Sequence, residues 1–299
     1  MADASYRDTA PQYLEPGSTF HYKSVLVGRG TTMIRDLYDG LAPDVAASLR
    51  DAPPAHVFSV ITWGCAASQW LTDVLNAHPD ILCVHALNQQ WKRFGAGPFI
   101  DGPEYLRMLG AQAFTVAAAG DVHGVNRSAI AQCRTVFGDG FGCAVVVREP
   151  LVRLGSMLSG MEKVDWQLSW DLSYLDGLIA SRVRLPEDSY KNRLTVHCVN
   201  MLNAIVEEAA LARVFRSEDL TGRPESLSAL VEEVTGGKVR PEPAWSETCI
   251  RRPPVNPHAP GKRAAVRFEP WQIEVIRAVV LPKAWALYEQ LGYRAPDFL

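Results

Sequence analysis

Two short stretches combine residue types suited to holding a phosphate. The first is Gly64-Cys65-Ala66-Ala67-Ser68. Its small residues let the backbone wrap closely around a ligand. The first amides of a following helix have no intrahelical partner, and the helix dipole favours an anion there. The second stretch is Arg148-Glu149-Pro150, with Ser156 eight positions after the arginine. A guanidinium gives paired, charge-assisted hydrogen bonds to a phosphate, and a serine hydroxyl adds a neutral one. Taken alone, the first loop reads equally as a strand-to-helix turn that holds nothing, because it lacks the Gly-Lys-Ser/Thr of a Walker motif.

The elements around these stretches place them. His56 to Thr62 is an apolar run without helical spacing, which predicts a buried parallel strand. After the loop, Trp70, Leu71, Val74 and Leu75 fall on one face of a helix, with Ser68 as its expected N-cap. Pro79 ends that helix, and Ile81 to Val84 predicts the next strand. Cys143 to Val147 predicts another buried strand that runs straight into Arg148. The arginine therefore stands at a strand's carboxyl end, where open α/β sheets bind ligands. Leu151 to Ser159 predicts a helix, with Ser156 about two turns in.

In order, these stretches resemble the sulfotransferases that use 3′-phosphoadenosine-5′-phosphosulfate (PAPS). That family carries a strand, a loop of the type Pro-Lys/Arg-Ser-Gly-Thr-Thr-Trp-Leu, a helix and often His-Pro-Asp. A later strand ends Arg-Asp-Pro, with a serine eight residues after the arginine. Here Trp70-Leu71 and His78-Pro79-Asp80 match the first motif, and Arg148-Glu149-Pro150 with Ser156 matches the second. Arg216-Ser217-Glu218-Asp219-Leu220 is similar to the family's Arg-Tyr-Glu-Asp-Leu, and Leu291-Gly292-Tyr293 to its usual ending. The resemblance spans residues 55 to 293.

The resemblance implies a parallel sheet flanked by helices, like the P-loop kinases, and a function. A sulfuryl group would move from PAPS to a hydroxyl or amine of a small-molecule or glycan acceptor, leaving the 3′,5′-bisphosphate PAP. The loop from Gly64 through Cys65, Ala66, Ala67, Ser68 and Gln69 would cradle the 5′-phosphosulfate. Arg148 and Ser156 would hold the 3′-phosphate, and Lys262 and Arg263, on a late basic loop, would close over it. His85 stands where relatives with this helix exit carry a glutamate base, and His123 is the rival base. A neutral imidazole can take the acceptor's proton at pH 7. The chain departs from the family at Cys65, which replaces the loop cation, and at Ala66-Ala67 and Ser68-Gln69, which replace Ser-Gly and Thr-Thr. Losing one preorganised donor costs about 10²–10³ in rate. A replacement cation would come from Lys92, Arg93, Lys262 or Arg263. The alternatives are a nucleotide-binding protein that has lost transfer, and an ATP-dependent phosphotransferase.

Composition narrows the class. With 299 residues, the chain predicts an N-terminal extension over 1–50 and one α/β domain over 51–299. A net charge of −3 gives no electrostatic footprint for nucleic acid. No apolar run reaches the ~18 residues of a membrane span, and the first twenty residues lack a signal-peptide pattern. The six cysteines form no Cys-x-x-Cys pair, so neither a metal site nor a redox motif is expected, and a cytoplasmic setting is.

The remaining chain reads as follows. Gly28-Arg29-Gly30-Thr31-Thr32 is a rival phosphate loop within the extension. Pro103 to Ala119 predicts a helix on its Ala and Leu content, broken by Gly120 to Gly124. Helices are also predicted over Asn126 to Phe137, Val164 to Ile179, Asp188 to Ala212 and Pro224 to Val234, the last closed by Gly236-Gly237. Val214-Phe215 predicts a short strand, Glu218-Asp219 the start of a loop, Lys238 to Lys262 a long proline-rich loop, and Trp271 to Leu291 one terminal helix.

Overall fold

The computed structural model of the chain describes residues 56–63, 65–85, 102–112, 116–161, 171–252 and 267–298. The Gly28–Thr32 loop, Gly64, Lys92, Arg93, Lys262 and Arg263 lie outside these residues.

Strand β1 (His56–Thr62) leads into helix α1 (Ser68–Asn76) and strand β2 (Ile81–His85). Helix α2 (Pro103–Gln112), strand β3 (Ala118–Val122) and helix α3 (Ile130–Phe137) follow. Strand β4 (Phe141–Val147) enters α4 (Pro150–Met161); then come α5 (Asp176–Arg182), α6 (Tyr190–Asn200), α7 (Ile205–Leu211) and strand β5 (Arg213–Arg216). Helices α8 (Ser217–Gly222), α9 (Pro224–Val234), α10 (Pro243–Ile250), α11 (Pro270–Val279) and α12 (Pro282–Gln290) complete the described chain.

Among the described residues, five strands form one all-parallel sheet in the order β2-β3-β1-β4-β5. The sheet is covered on both faces, and the strands alternate between them, as the two-residue period demands. Phe58 and Val60 of β1 face one core with Trp70, Val74 and Leu75 of α1 and Leu230 and Val234 of α9. Val57 and Ile61 face the other with Leu106 of α2, Leu154 of α4, Ile276 of α11 and Tyr288 of α12. Fully burying one such aliphatic or aromatic side chain is worth about 1.5–3 kcal/mol. These stripes therefore hold the helices whose ends carry the site.

The order places β1 in the middle. Its exit leads past β3 to β2, while the exit of its other neighbour β4 leads the opposite way, to β5. Loops that diverge in this way open a crevice at the carboxyl edge of the sheet.

Several expectations are corrected. The expected helix over Pro103–Ala119 stops at Gln112, and the supposed breaker around Gly120 is β3, beside the centre of the sheet. Its sequence, Ala-Ala-Gly-Asp-Val, has little strand propensity, so packing overrides it. Gly120 lies opposite Phe58 in the β1–β3 ladder, and a Cβ there would sit 2.3 Å from the Phe58 carbonyl oxygen and 2.4 Å from its ring. Gly120→Ala is accordingly expected to destabilise by about 2–3 kcal/mol. A urea midpoint like that of the wild type would refute this close approach.

The expected loop at Glu218-Asp219 is the helix α8. Helix α10 interrupts the expected Lys238–Lys262 loop, started by Pro243 at its first position, where proline's missing N–H is harmless. The single terminal helix is two, because Pro282 starts α12 after an extended Val280-Leu281. The Asp188–Ala212 helix is α6 and α7 joined by a 3₁₀ turn, Met201–Ala204. Of Val164–Ile179, residues 164–170 lie outside the described chain, and the rest holds a 3₁₀ turn, Ser173–Leu175, leading into α5. The expected helix to Phe137 is a 3₁₀ turn, Arg127–Ala129, followed by α3. The strand at Val214-Phe215 is β5, and Gly236 and Gly237 close α9 at φ +57° and +71°.

Candidate functional site

The carboxyl ends of β1, β2, β3 and β4 bring the predicted residues to one edge of the sheet. Between β1 and α1, Cys65 (φ 69°) and Ala67 (φ 61°) both adopt the left-handed conformation. For a residue with a Cβ this costs of order 1–3 kcal/mol, and such residues concentrate at ligand clamps. Left-handed turns of this kind aim successive backbone N–H groups into an anion-binding concavity. Ala67, not Ser68, is the N-cap of α1, and it offers no side-chain cap bond. Ser68, the first residue of the helix, turns its hydroxyl elsewhere, to His85.

Arg148 joins the two phosphate motifs. Its guanidinium donates to the Cys65 carbonyl oxygen at 2.8 Å across 83 residues of sequence. The same nitrogen donates to Ser156 Oγ at 3.4 Å, and Ser156 itself donates to Val152 O at 2.9 Å. The pair at i and i+8 thus converges because β4 delivers the arginine and α4 turns the serine back towards it. Cys65 is exposed, yet the protein around its thiol still raises it through desolvation, against the pull of Arg153 and Arg148.

His85 ends β2 and His123 follows β3. Their rings stack 6.3 Å apart at 20°. His85 Nε2 shares a 2.9 Å hydrogen bond with Ser68 Oγ. Burial, with the charge of His123 second, pushes His85 down to about 4. His123 sits at φ 75°, and its Nδ1 is hydrogen-bonded to the Thr62 carbonyl oxygen. A carbonyl only accepts, so Nδ1 carries the hydrogen and Nε2 is the basic nitrogen. Burial lowers His123 too, the Thr62 bond opposes the shift and Arg153 adds to it. Both imidazoles are neutral at pH 7, and His123 has the tautomer a base requires.

One carboxylate ties the end of β4 to the end of β5. Glu218 accepts the backbone N–H of Glu149 at 3.0 Å and the Tyr293 hydroxyl at 2.8 Å. The Arg216 guanidinium covers the Tyr293 ring at 4.6 Å. Residues from all three of the later motifs therefore meet at Glu218, next to Arg148.

Three groups escaped the sequence reading. Arg153, 3% exposed, lies in the apolar run Leu151-Val152-Arg153-Leu154, and its charge acts on Cys65, His123 and Glu208. Glu208, 2% exposed, accepts from Trp63 Nε1; desolvation raises it, while Arg153 and the Trp63 bond pull it down. A charged residue at an inward position of an apolar helix was the available signal in both cases. The third group borders a cleft of about 390 Å³ lined by Ile61, Thr62, Trp63, His123, Val125, Asn126, Arg127, Ser128, Glu207 and Leu211. Nothing local in the sequence links Trp63, Arg127 and Glu207.

Of the predicted residues, Cys65, Ala66, Ala67, Ser68, Gln69, Arg148, Ser156, His85 and His123 are gathered at this edge, whereas Gly64, Lys262 and Arg263 fall outside the described residues. Among the described residues no group of three or more His, Cys, Asp or Glu side chains could hold a metal ion, and no helix is long and apolar enough to cross a membrane. No protein-family model and no curated protein matches the chain.

Proposed function

We propose that the chain is a sulfotransferase that moves a sulfuryl group from PAPS to a hydroxyl or amine of a small-molecule or glycan acceptor. The observation that carries this reading is the Arg148 guanidinium, which spans the Cys65–Ser68 loop and Ser156 and so unites two motifs 83 residues apart. The sheet supports it as well: β1 is central and its carboxyl end opens into that loop, as in P-loop kinase-like folds. Arg148 and Ser156 would hold the 3′-phosphate, and the loop amides the 5′-phosphosulfate. In the transfer, the sulfur–oxygen bond to the 5′-phosphate breaks and a bond from sulfur to the acceptor's oxygen or nitrogen forms. The acceptor's proton passes to His123 Nε2 or to His85, and PAP departs. Such a step needs chiefly positioning and charge stabilisation. With Cys65 in place of the loop cation, the positive charge near the loop comes from Arg148 and the buried Arg153.

Cys65 is also the observation that favours a second reading, a nucleotide-binding protein without transfer. PAP at ~100 times its Kd is expected to stabilise the chain by about 2.7 kcal/mol, a rise of several degrees in melting temperature. Sulfuryl transfer to a panel of hydroxyl and amine acceptors then separates the two readings. No shift with PAP beside a clear shift with magnesium and ATP would overturn both and favour a phosphotransferase.

A further inference from the structure

The cleft beside His123 is lined by none of the described residues proposed to hold the nucleotide. Its volume of about 390 Å³ lies near the lower end of the ~300–1,000 Å³ of small-molecule pockets. The Trp63 ring forms one wall, and the Arg127 guanidinium lies 5.0 Å from the ring centroid. Arg127 is paired at 3.0 Å with Glu207, and the apolar Val125 and Leu211 line the same cleft. Behind the wall, Glu208 fixes the indole N–H.

This arrangement has a definite chemical preference. Among the described residues, one cation and one anion line the cleft, already matched to each other. An anionic guest would be attracted by Arg127 but repelled by Glu207, and a cationic guest the reverse. Either must weaken the existing pair to gain its own. A neutral hydroxyl can accept from the guanidinium and donate to the carboxylate while the pair stays intact. The Trp63 indole, one face of which Arg127 covers, and the aliphatic walls suit an apolar body. The modest volume suits a compact molecule rather than a chain of sugar rings.

We propose that this cleft is the acceptor site and that it selects a compact, uncharged, hydroxyl-bearing molecule with an apolar body over amines, carboxylates and polymeric glycans. This inference rests on the sulfotransferase reading above. It narrows the acceptor to the neutral small-molecule class and makes Trp63, Arg127 and Glu207 the residues that set specificity.

The test is a binding measurement on the full chain, independent of turnover. Saturation-transfer NMR and intrinsic fluorescence titrations would use 2-naphthol, 2-naphthoic acid and 2-naphthylmethylamine as a neutral, an anionic and a cationic probe of one shape. The neutral probe is expected to bind at least tenfold more tightly than either charged one. Arg127→Gln leaves Glu207 unmatched and should shift the preference towards the amine by about tenfold. Glu207→Gln should shift it by a similar factor towards the carboxylate. Both residues are partly or largely exposed, so both variants are expected to fold, and a thermal melt verifies it. Equal binding of the three probes, unchanged preference in both variants, or no binding of any probe at millimolar concentration would overturn the proposal. A PAP titration of the same samples separates the two levels. A PAP shift with failing probes removes only the acceptor cleft. Selective 2-naphthol binding without any PAP shift keeps the cleft as a neutral-ligand site and removes the transfer reading.

Discussion

Arg148→Ala is expected to weaken PAP binding about a hundredfold. Hydrogen bonds to charged groups contribute about 1.5–3 kcal/mol each, and every 1.4 kcal/mol is a factor of ten in affinity. The substitution removes the charge-assisted contacts proposed for the 3′-phosphate. It also removes the 2.8 Å bond to the Cys65 carbonyl, which braces a loop whose Cys65 and Ala67 hold left-handed conformations. That second loss matters because loop amides contribute to an anion site only while they stay aimed at it. Arg148→Lys separates the two contributions. A lysine keeps the charge and one donor nitrogen for Cys65 O and Ser156 Oγ, but it lacks the guanidinium's further, coplanar donors that a phosphate would take in a paired contact. It should fall between alanine and wild type. Calorimetric titration of the three proteins with PAP would check this, and an alanine variant that binds as the wild type does would remove Arg148 from the nucleotide site.

Acidification is expected to destabilise the fold between pH 6.5 and about 4, with His85 as a principal cause. Its folded value lies at about 4, against an ordinary histidine value near 6.5. Within that window the unfolded chain binds a proton that the folded chain refuses, so stability falls as pH falls, and it levels off below about 4. A difference of this size corresponds to about 3 kcal/mol. His56, His123 and His197 are lowered as well and act in the same direction. Glu208 and Asp73, raised by desolvation, act oppositely, because the folded chain binds their protons first. Denaturant midpoints at pH 7.5 and 4.5 should therefore diverge widely in the wild type. In His85→Gln, which keeps a hydrogen-bonding partner for Ser68, the divergence should shrink by about 3 kcal/mol. An equal acid loss in both proteins would show that His85 does not resist protonation in the fold.

Four of the five described strands and the two phosphate motifs were legible along the chain. The runs at His56–Thr62, Ile81–His85 and Phe141–Val147 are apolar enough to be buried on both faces, so their character depended on little beyond composition. Arg148 had to stand at a carboxyl end because the chain leaves β4 at that residue. Local punctuation was legible where one residue decides it, as at Gly236-Gly237. It was missed at Pro282, where an amphipathic pattern continues across a proline that starts a new helix.

Tertiary structure decided the rest. Ala118–Val122 has little strand propensity, and pairing on both sides, with Gly120 close against Phe58 where a larger residue would clash, holds it as a strand. The place of β3 between β2 and β1 then sets His123 beside His85, although neither residue's neighbours in sequence point to the other. Arg153, Glu208 and Trp63 come together from α4, α7 and the end of β1, and the cleft joins Trp63 to Arg127 and Glu207. Contacts at such sequence separations follow from the order of strands in the sheet and from which helix covers which face. Periodicity and composition report only how each segment meets its immediate surroundings. A strand therefore announces itself along the chain, whereas a site assembled from five loop ends exists only once those strands have been ordered.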